Sequence, residues 1–290
     1  MIGIVILNYN TWNETVECVK SIDKYKPVDS YKIYIVDNNS SVDPTDSELL
    51  YLQKNVNVEI INSKINKGYS AGNNIGLKSA LNDNCDRILI CNSDILFVDD
   101  SISEMDSFLK TDSSIGIVGP QIYNKSDEFQ PFYMITKLTG LGKIKNMFLH
   151  TPFKVLFKNF EKSFIRKSEL SSPMKVFGVS GCCFMLNQDC LKYLYPLDER
   201  TFLYEEEYII GAVLEKSKYK VYIIPNTHVI HAHGASTKGM TDFSYKCLIN
   251  SEQLYLKEYL HTNIVLRKII LTIRLILKGK YTVKGSEKSK

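Results

Sequence analysis

Short apolar runs alternate with amphipathic segments over the first 120 residues, and this alternation limits the folds that the chain can adopt. The runs that predict strands cover residues 3–8, 32–38, 58–63, 87–92 and 115–120, and the segments that predict helices cover 12–22, 47–54, 71–81 and 101–110. Strands separated by helices are joined by right-handed crossovers and lie parallel to one another. The pattern predicts an α/β fold with a Rossmann-like, mostly parallel central sheet flanked by helices.

The second half of the chain has a different pattern. Residues 124–172 predict a loop-rich, basic and aromatic insertion. After it the periodicity predicts, in order, a strand, a glycine turn and a strand over 174–187, a loop and helix over 197–217, a last strand over 220–226, and a loop over 227–237 with His228, His231 and His233. A basic helix over 263–281 and a polar tail follow.

The composition excludes several classes of protein. The net charge of +4 is too small to make nucleic acid the expected partner. The seven cysteines are odd in number and show no C-x-x-C spacing, so we expect reduced thiols rather than a disulfide framework or a zinc ribbon. Met1 leads directly into an apolar strand, without the basic region and cleavage site of a signal peptide. These features predict a cytoplasmic protein.

Two basic segments bear on membrane contact. No apolar run reaches the roughly 18–20 residues of a membrane span. Residues 143–167 carry seven Lys/Arg and one Glu, and residues 263–281 form a second basic, amphipathic segment. Such segments can lie on an anionic membrane surface, or they can pack their Leu/Ile face on the domain. The sequence leaves both alternatives open, and the first places the protein peripherally at the inner face of the cell membrane.

Polar side chains follow three of the predicted strands, at the point where each strand ends. Ligands of a parallel sheet bind beyond the carboxyl ends of its strands. We therefore expect one crevice to contain Asn8 and Asn10, Asp37 and Asn38, and Asn92, Ser93 and Asp94.

Seven segments of the sequence, in this order, resemble an inverting family 2 glycosyltransferase with the GT-A fold, of the rhamnosyltransferase-like type. They are VILNYN, VDNNS, NKGYSAGNNIGL, NSD, GVSGCCFML, FLYEEEYIIG and VIHAHGAST, and they span most of residues 3–240. The resemblance implies a GT-A domain over 1–240, with a nucleotide-sugar half (1–120) and an acceptor half (121–240). Residues 241–290 would then be a basic helical extension.

The resemblance assigns the nucleotide to the first half. Asp37 would accept the N3–H of uracil or thymine, although an Asx-turn explains the same residue. In NKGYSAGNN, the glycines allow close backbone approach and the next helix presents its positive end. The residues implied in donor binding are Asn8, Asn10, Asp37, Asn38, Lys67, Gly68, Gly72, Asn73, Asn92, Ser93 and Gly181.

The motif NSD stands where the family has an Asp-x-Asp metal motif. Mg²⁺ or Mn²⁺ prefers carboxylate, phosphate and water oxygens, so Asp94 is the predicted ligand. Asn92 departs from the first Asp of the motif and is expected to contact ribose or phosphate instead. His231 is the predicted further ligand, with His233 as the alternative. The H-x-x-H-x-H spacing does not predict zinc, because no acid or Cys cluster completes a tetrahedron nearby.

The run of three glutamates in FLYEEEYII stands where the family has an acidic pair. Inversion at an anomeric carbon needs a base on the acceptor side. The resemblance implies Glu207 as this base and leaves Glu206 as the second candidate, since Glu replaces the usual Asp. A charged first helical turn, favoured by the helix dipole, is the structural alternative.

These features predict an inverting, metal-dependent hexosyltransferase. It would move a hexose or deoxyhexose (such as rhamnose, galactose or glucose) from a UDP- or dTDP-sugar onto a glycan or lipid-linked oligosaccharide of a bacterial surface polysaccharide. Two alternatives remain, a nucleotidyltransferase and a non-catalytic sugar-nucleotide-binding scaffold. LNYNTWNE lacks the Gly-rich, basic phosphate loop of the former, and the Asn92 departure is compatible with the latter.

Overall fold

The computed structural model of the 290-residue chain describes residues 1–130, 134–149, 170–232 and 240–282. The strands are β1 Ile2–Asn8, β2 Tyr31–Asp37, β3 Val58–Asn62, β4 Arg87–Asn92, β5 Ile95–Phe97, β6 Ile115–Tyr123, β7 Met174–Val176, β8 Cys183–Asn187 and β9 Lys220–His231. The helices are α1 Trp12–Lys24, α2 Asp46–Lys54, α3 Tyr69–Asn82, α4 Ser101–Thr111, α5 Gly140–Leu149, α6 Leu191–Leu194, α7 Glu206–Leu214, α8 Asp242–Leu254 and α9 Ile264–Tyr281. A 3₁₀ turn covers Gln188–Cys190 and a π-helical turn covers Tyr255–Tyr259.

The strands form one sheet in the order β3-β2-β1-β4-β8-β6-β9-β5, with β7 beside β9. The first four strands of this order are parallel, as the alternation of strands and helices predicts. β8 lies antiparallel between β4 and β6, while β6 and β9 are parallel to each other. The predicted α/β sheet is therefore confirmed, but the other half of the sheet is mixed. An antiparallel strand needs no crossover helix, so β8 can enter after a non-helical stretch of chain.

Two glycines of α3 set how closely this helix approaches β1. A Cβ built on Gly76 would lie 2.4 Å from Val5 Cγ1, and one on Gly72 would lie 2.4 Å from Leu7 Cδ1. Real side chains do not approach so closely, so only glycine permits this packing. As a result the N-terminus of α3 lies beside the carboxyl ends of β1 and β2.

The structure corrects three sequence-based predictions. The predicted loop 227–237 begins as strand, because β9 continues through His231 and pairs with the unpredicted strand β5. The predicted loop-rich insertion 124–172 contains helix α5. The predicted basic surface of 143–167 is broken at Lys143, which is buried. The rest of that segment from residue 150 onward, and His233, lie outside the described residues.

The C-terminal helices pack against α5 through an apolar cluster, and a buried ion pair joins α8 to α9. Met147 of α5, Leu256, and Ile270 and Leu277 of α9 form the cluster. Arg274 of α9 points inward and forms a two-pronged contact with buried Glu252, at 2.9 and 2.7 Å. The predicted basic helix is thus confirmed as a helix, but one of its cations serves the interior. No helix in the described part of the chain has the length and apolar character to cross a bilayer.

Candidate active site

Asn8, at the end of β1, organises the ends of the first two strands. Its side-chain amide donates to Asp37 Oδ1 at 3.0 Å and to Ser40 Oγ at 3.2 Å. Its carbonyl oxygen accepts from the hydroxyls of Thr11 and Thr15 at 3.1 and 3.0 Å. Asn8 is fully buried. Its polar atoms are engaged within the protein, so it positions Asp37 rather than reaching into the crevice.

Asp37 and Asn10 fix the loop that follows β2. Asp37 accepts from the backbone N–H of Ser40 at 3.3 Å in addition to the Asn8 amide. Asn10 has a left-handed φ of 58° and accepts from the backbone N–H groups of Ser41 and Val42 at 2.7 and 3.1 Å. The predicted Asx-type turn therefore exists, and Asp37 remains half-buried at the edge of the crevice.

A cavity of about 260 Å³ opens between the ends of β2 and β3 and the start of α3, and Asn38, Lys64, Ile65, Lys67 and Ile75 are among the residues that line it. The amide of Asn38 donates to Asn66 Oδ1 at 3.0 Å and to the carbonyl of Gly68 at 3.2 Å. Its own Oδ1 is buried and has no hydrogen-bond partner among the described residues. The cavity thus combines two lysines, apolar side chains and an unused acceptor.

Gly68 connects this cavity to the acidic segment. It adopts a φ of 95°, and a Cβ there would lie 2.2 Å from the carbonyl oxygen of Phe202. The next residue, Tyr69, donates its backbone N–H to that same oxygen at 2.8 Å. Only glycine fits here, because both the conformation and the contact exclude a side chain. Asn73, in the first turn of α3, is fully buried and donates to the carbonyl of Tyr69 at 3.0 Å.

Asp94 and His231 face each other where β4 leads into β5. Oδ2 of Asp94 lies 3.3 Å from Nε2 of His231, and Ala232 N donates to the Asp94 carbonyl at 2.8 Å. The other ring nitrogen, Nδ1, is buried with no hydrogen-bond partner in the described ranges. His228 lies an odd number of residues away on β9 and so on the opposite face. It pairs instead with Asp99 at 3.1 Å.

The Asp94–His231 pair fits a divalent cation. Two ligand atoms that each lie about 2.1 Å from one ion are as far apart as Asp94 Oδ2 and His231 Nε2 when the ligand–metal–ligand angle is close to 100°. Among the described residues, no group of three or more His, Cys, Asp or Glu side chains forms a metal site. A cation bound by this pair would take its other ligands from outside the described residues, for example from phosphate oxygens and water. The predicted neighbour Ser93 is buried and its hydroxyl bonds to that of Thr11 at 2.8 Å.

Glu207 contacts Gly181, which lies two residues before β8. Oε1 of Glu207 accepts from the backbone N–H of Gly181 at 3.0 Å, and the hydroxyl of Tyr69 donates to the Gly181 carbonyl at 2.5 Å. The next residue, Cys182, accepts from the backbone N–H of Asn92 at 2.8 Å. Two hydrogen bonds, linked by the backbone between Gly181 and Cys182, therefore connect Glu207 to the NSD segment.

Glu206 points elsewhere. Its side chain is buried and lines a cavity of about 330 Å³ with Ser70, Leu197 and Arg200. Its Oε1 has no hydrogen-bond partner in the part of the chain that the structure describes. Burial raises the pKa of the Glu206 carboxyl well above its usual value, and the charge of Glu207 raises it further. Burial therefore favours the protonated, neutral form of Glu206.

Sequence reasoning missed Tyr69 and Lys143. Tyr69 stands inside NKGYSAGNN, but nothing in that motif indicates that its hydroxyl reaches Gly181. Lys143 was grouped with the surface cations, yet its Nζ lies 2.6 and 2.7 Å from the two carboxylate oxygens of Glu205. Both contacts join residues more than 60 positions apart, so no local pattern could reveal them.

Comparison with known families identifies the class of protein that this fold and crevice define. The model of "Glycosyl transferase family 2" matches residues 3–194, which is more than half of the chain. The chain therefore belongs to glycosyl transferase family 2, as the sequence motifs predict.

Similar proteins agree with this class. The chain is 24% identical over 207 residues to the low-salt glycan biosynthesis hexosyltransferase Agl10 of Haloferax volcanii. This match covers 71% of the chain and spans 59% of that relative's length.

Solved glycosyltransferase structures share the fold. GalNAc-T7, solved with UDP, GalNAc and Mn²⁺, superposes with a TM-score of 0.63 at 14% identity, over 96% of this chain and 55% of its own. S. aureus TarS 1–349 superposes with a TM-score of 0.54 at 14% identity, over 100% of this chain and 75% of its own. The predicted GT-A fold is confirmed.

Proposed function

We propose that the chain transfers a hexose or deoxyhexose, with inversion, from a UDP- or dTDP-sugar to a hydroxyl of a glycan acceptor. One observation carries the proposal. The Asp94–His231 pair and the Glu207 carboxylate are connected through Asn92, Cys182 and Gly181, and in this proposal they face one space. A leaving-group site and a base on opposite sides of one space are what inversion requires.

The two glutamates differ in their fitness as the base. A base must be ionised and must face the acceptor. Burial favours the protonated form of Glu206, which lines a separate cavity, whereas Glu207 is only half-buried and contacts Gly181. Glu207 therefore accepts the proton of the acceptor hydroxyl in this proposal, and Gly181 N–H orients its carboxylate.

Asp94 and His231 would hold a divalent cation, Mg²⁺ or Mn²⁺, which when bound neutralises the charge on the leaving diphosphate. The Mn²⁺ in the GalNAc-T7 structure supports this assignment. The protein's own groups contribute the rest. The N-terminus of α3 favours negative charge at its end, and the exposed Lys67 adds a cation at the neighbouring cavity.

The donor in this proposal carries uracil or thymine. Asp37 is fixed by Asn8 and Ser40 with its carboxylate at the crevice edge, where it can accept a base N3–H. TarS has been solved with UDP and with UDP-GlcNAc, which supports a uridine donor. The hexosyltransferase description of Agl10 supports a hexose. We propose a lipid-linked oligosaccharide of surface polysaccharide biosynthesis as the acceptor.

We further propose that α9 rests on an anionic lipid surface at the inner face of the cell membrane. Its outward face exposes apolar side chains, Ile276 by 75% and Val265 by 64%, with Ile264, Ile269 and Leu275 beside them. Besides the inward-pointing Arg274, residues 264–281 contain four Lys/Arg and no Asp or Glu. Apolar groups ringed by cations suit anionic lipid, while two copies of so basic a face would repel one another.

A donor screen tests the function. We would measure the thermal unfolding midpoint with Mn²⁺ and UDP-, dTDP- or GDP-sugars. A ligand that binds only the folded state raises this midpoint, and we expect UDP or dTDP compounds to do so. Asp37→Asn should weaken that binding about tenfold, because a charged hydrogen bond is lost. A preference for GDP-sugars would refute the role of Asp37.

Transfer itself is tested by the release of nucleoside diphosphate that depends on added glycan acceptor. Binding of donor without any transfer or hydrolysis would support the scaffold alternative instead.

A further inference from the structure

The segment that leads into α7 has an unfavourable backbone. Tyr204 and Glu205 are consecutive residues with left-handed φ values of 73° and 71°. Side chains with a Cβ rarely adopt this conformation, and it persists only where the surroundings impose it. The next two residues are Glu206 and Glu207. Whatever imposes the conformation at 204–205 therefore also sets the position of the proposed base.

Lys143 is the group that holds Glu205. The two side chains are almost completely buried, and both carboxylate oxygens of Glu205 contact Lys143 Nζ. The same Nζ lies 3.6 Å from the ring centroid of Tyr208 and 5.3 Å from that of Tyr255. The ammonium is enclosed by a carboxylate and two aromatic rings, an arrangement that stabilises a desolvated cation.

Lys143 is itself held by the C-terminal helices. Its helix α5 begins at Gly140, whose Cβ position would lie 3.0 Å from Leu266 Cδ2 of α9. From α8, Ser251 donates its hydroxyl to the carbonyl of Leu203 at 2.8 Å. Contacts from α5 and α8 thus hold residues 203–205, which lead into α7.

We propose that Lys143 is a positioning residue for the transfer reaction. By holding Glu205 in its left-handed conformation, it keeps Glu207 at the N–H of Gly181, in place to receive the acceptor proton. This inference rests on the proposed function. Replacing a buried ion pair with apolar groups is often tolerated by a fold, so stability alone does not require a lysine here. In this proposal the lysine is needed to fix the orientation of the glutamates that follow Glu205.

The test compares Lys143→Met with Lys137→Met. Lys137 contacts Glu215, at the other end of α7, at 2.6 Å, so the control removes a lysine paired to the same helix without touching the acidic segment. Steady-state kinetics with the full chain should show kcat of Lys143→Met reduced about 100-fold, because a misplacement near 1 Å can cost that much. The donor KM should change less than about twofold, since the donor contacts lie elsewhere. Lys137→Met should match the parent protein.

A retained kcat in a folded Lys143→Met variant would overturn the inference, as would a parallel rise in donor KM. If that variant does not fold, Lys143→Met combined with Glu205→Met removes both charges, and the same two outcomes decide.

Hydrogen exchange supplies a readout that is independent of activity. Peptides covering 202–209 should exchange faster in Lys143→Met than in the parent protein, and unchanged protection would overturn the inference even if no acceptor is found. Absence of transfer by the parent protein would instead count against the proposed function.

Discussion

Glu207 and Gly181 are in direct contact, and a side chain at position 181 would press against the Glu207 carboxylate. Oε1 of Glu207 lies 3.0 Å from Gly181 N, and a Cβ on Gly181 would lie equally close to that oxygen. The hydroxyl of Tyr69 lies 3.5 Å from the same Cβ position. The contact with Gly181 N distinguishes Glu207 from its two glutamate neighbours.

Glu207→Gln should lower kcat by about 10²–10⁴-fold, because the amide cannot accept the acceptor proton. Glu206→Gln is the matched control. It replaces a neutral carboxyl with a neutral amide of the same shape, so kcat should stay within about threefold. Initial rates at saturating donor measure both. The reverse order of effects would make Glu206 the base.

Glu206→Gln should also change the pH dependence of stability. The folded protein keeps Glu206 protonated because burial raises its pKa well above 4.5, whereas the unfolded chain ionises near that value. Above pH 4.5 the unfolded state binds fewer protons, so this residue lowers the free energy of unfolding as pH rises. Glu206→Gln does not show this decrease in the free energy of unfolding, because an amide does not titrate. The unfolding midpoint of the variant, relative to that of the parent protein, should therefore rise between about pH 5 and 7. A difference between the two midpoints that does not change with pH would contradict a protonated Glu206.

Asp94→Asn should abolish the metal dependence of donor binding. We expect Mn²⁺ to increase the thermal shift produced by UDP in the parent protein, and EDTA to remove the increase. In Asp94→Asn the shift should be small with or without Mn²⁺. His228→Asn is the control, since His228 lies on the opposite face of β9 from His231 and pairs with Asp99. An undiminished Mn²⁺ effect in Asp94→Asn would remove this residue from the metal site.

Ile276→Glu should weaken binding to anionic vesicles. Sedimentation with vesicles of phosphatidylglycerol and phosphatidylcholine should pull down the parent protein, and pure phosphatidylcholine should pull down less. The control is Val56→Glu, which places the same charge on a still more exposed apolar residue away from α9. Equal binding by both variants would contradict the lipid face. A shift from dimer to monomer on Ile276→Glu would indicate a second copy as the occupant.

Much of the first half could be read from the chain. β1 to β4 and helices α1 to α4 follow local periodicity, which survives in any packing that buries one face. Asp37, Asp94 and Glu207 could be proposed as site residues because their motifs stand at the ends of predicted elements. The sequence could not give the extension of β9 through His231, since that extension depends on pairing with β5, a strand of three residues with little pattern of its own.

The sequence by itself determined the family, the parallel half of the sheet and the polar crevice at its edge, because these depend on periodicity and on motifs within a few residues of each other. Only the tertiary structure decided that Glu206 is buried with a raised pKa and that Glu207 contacts Gly181. It also decided that Lys143 and Arg274 serve the interior, where the sequence placed them at the surface. The reason is physical. The state of an ionisable group depends on which groups surround it and on its distance from water, and distant parts of the chain supply both.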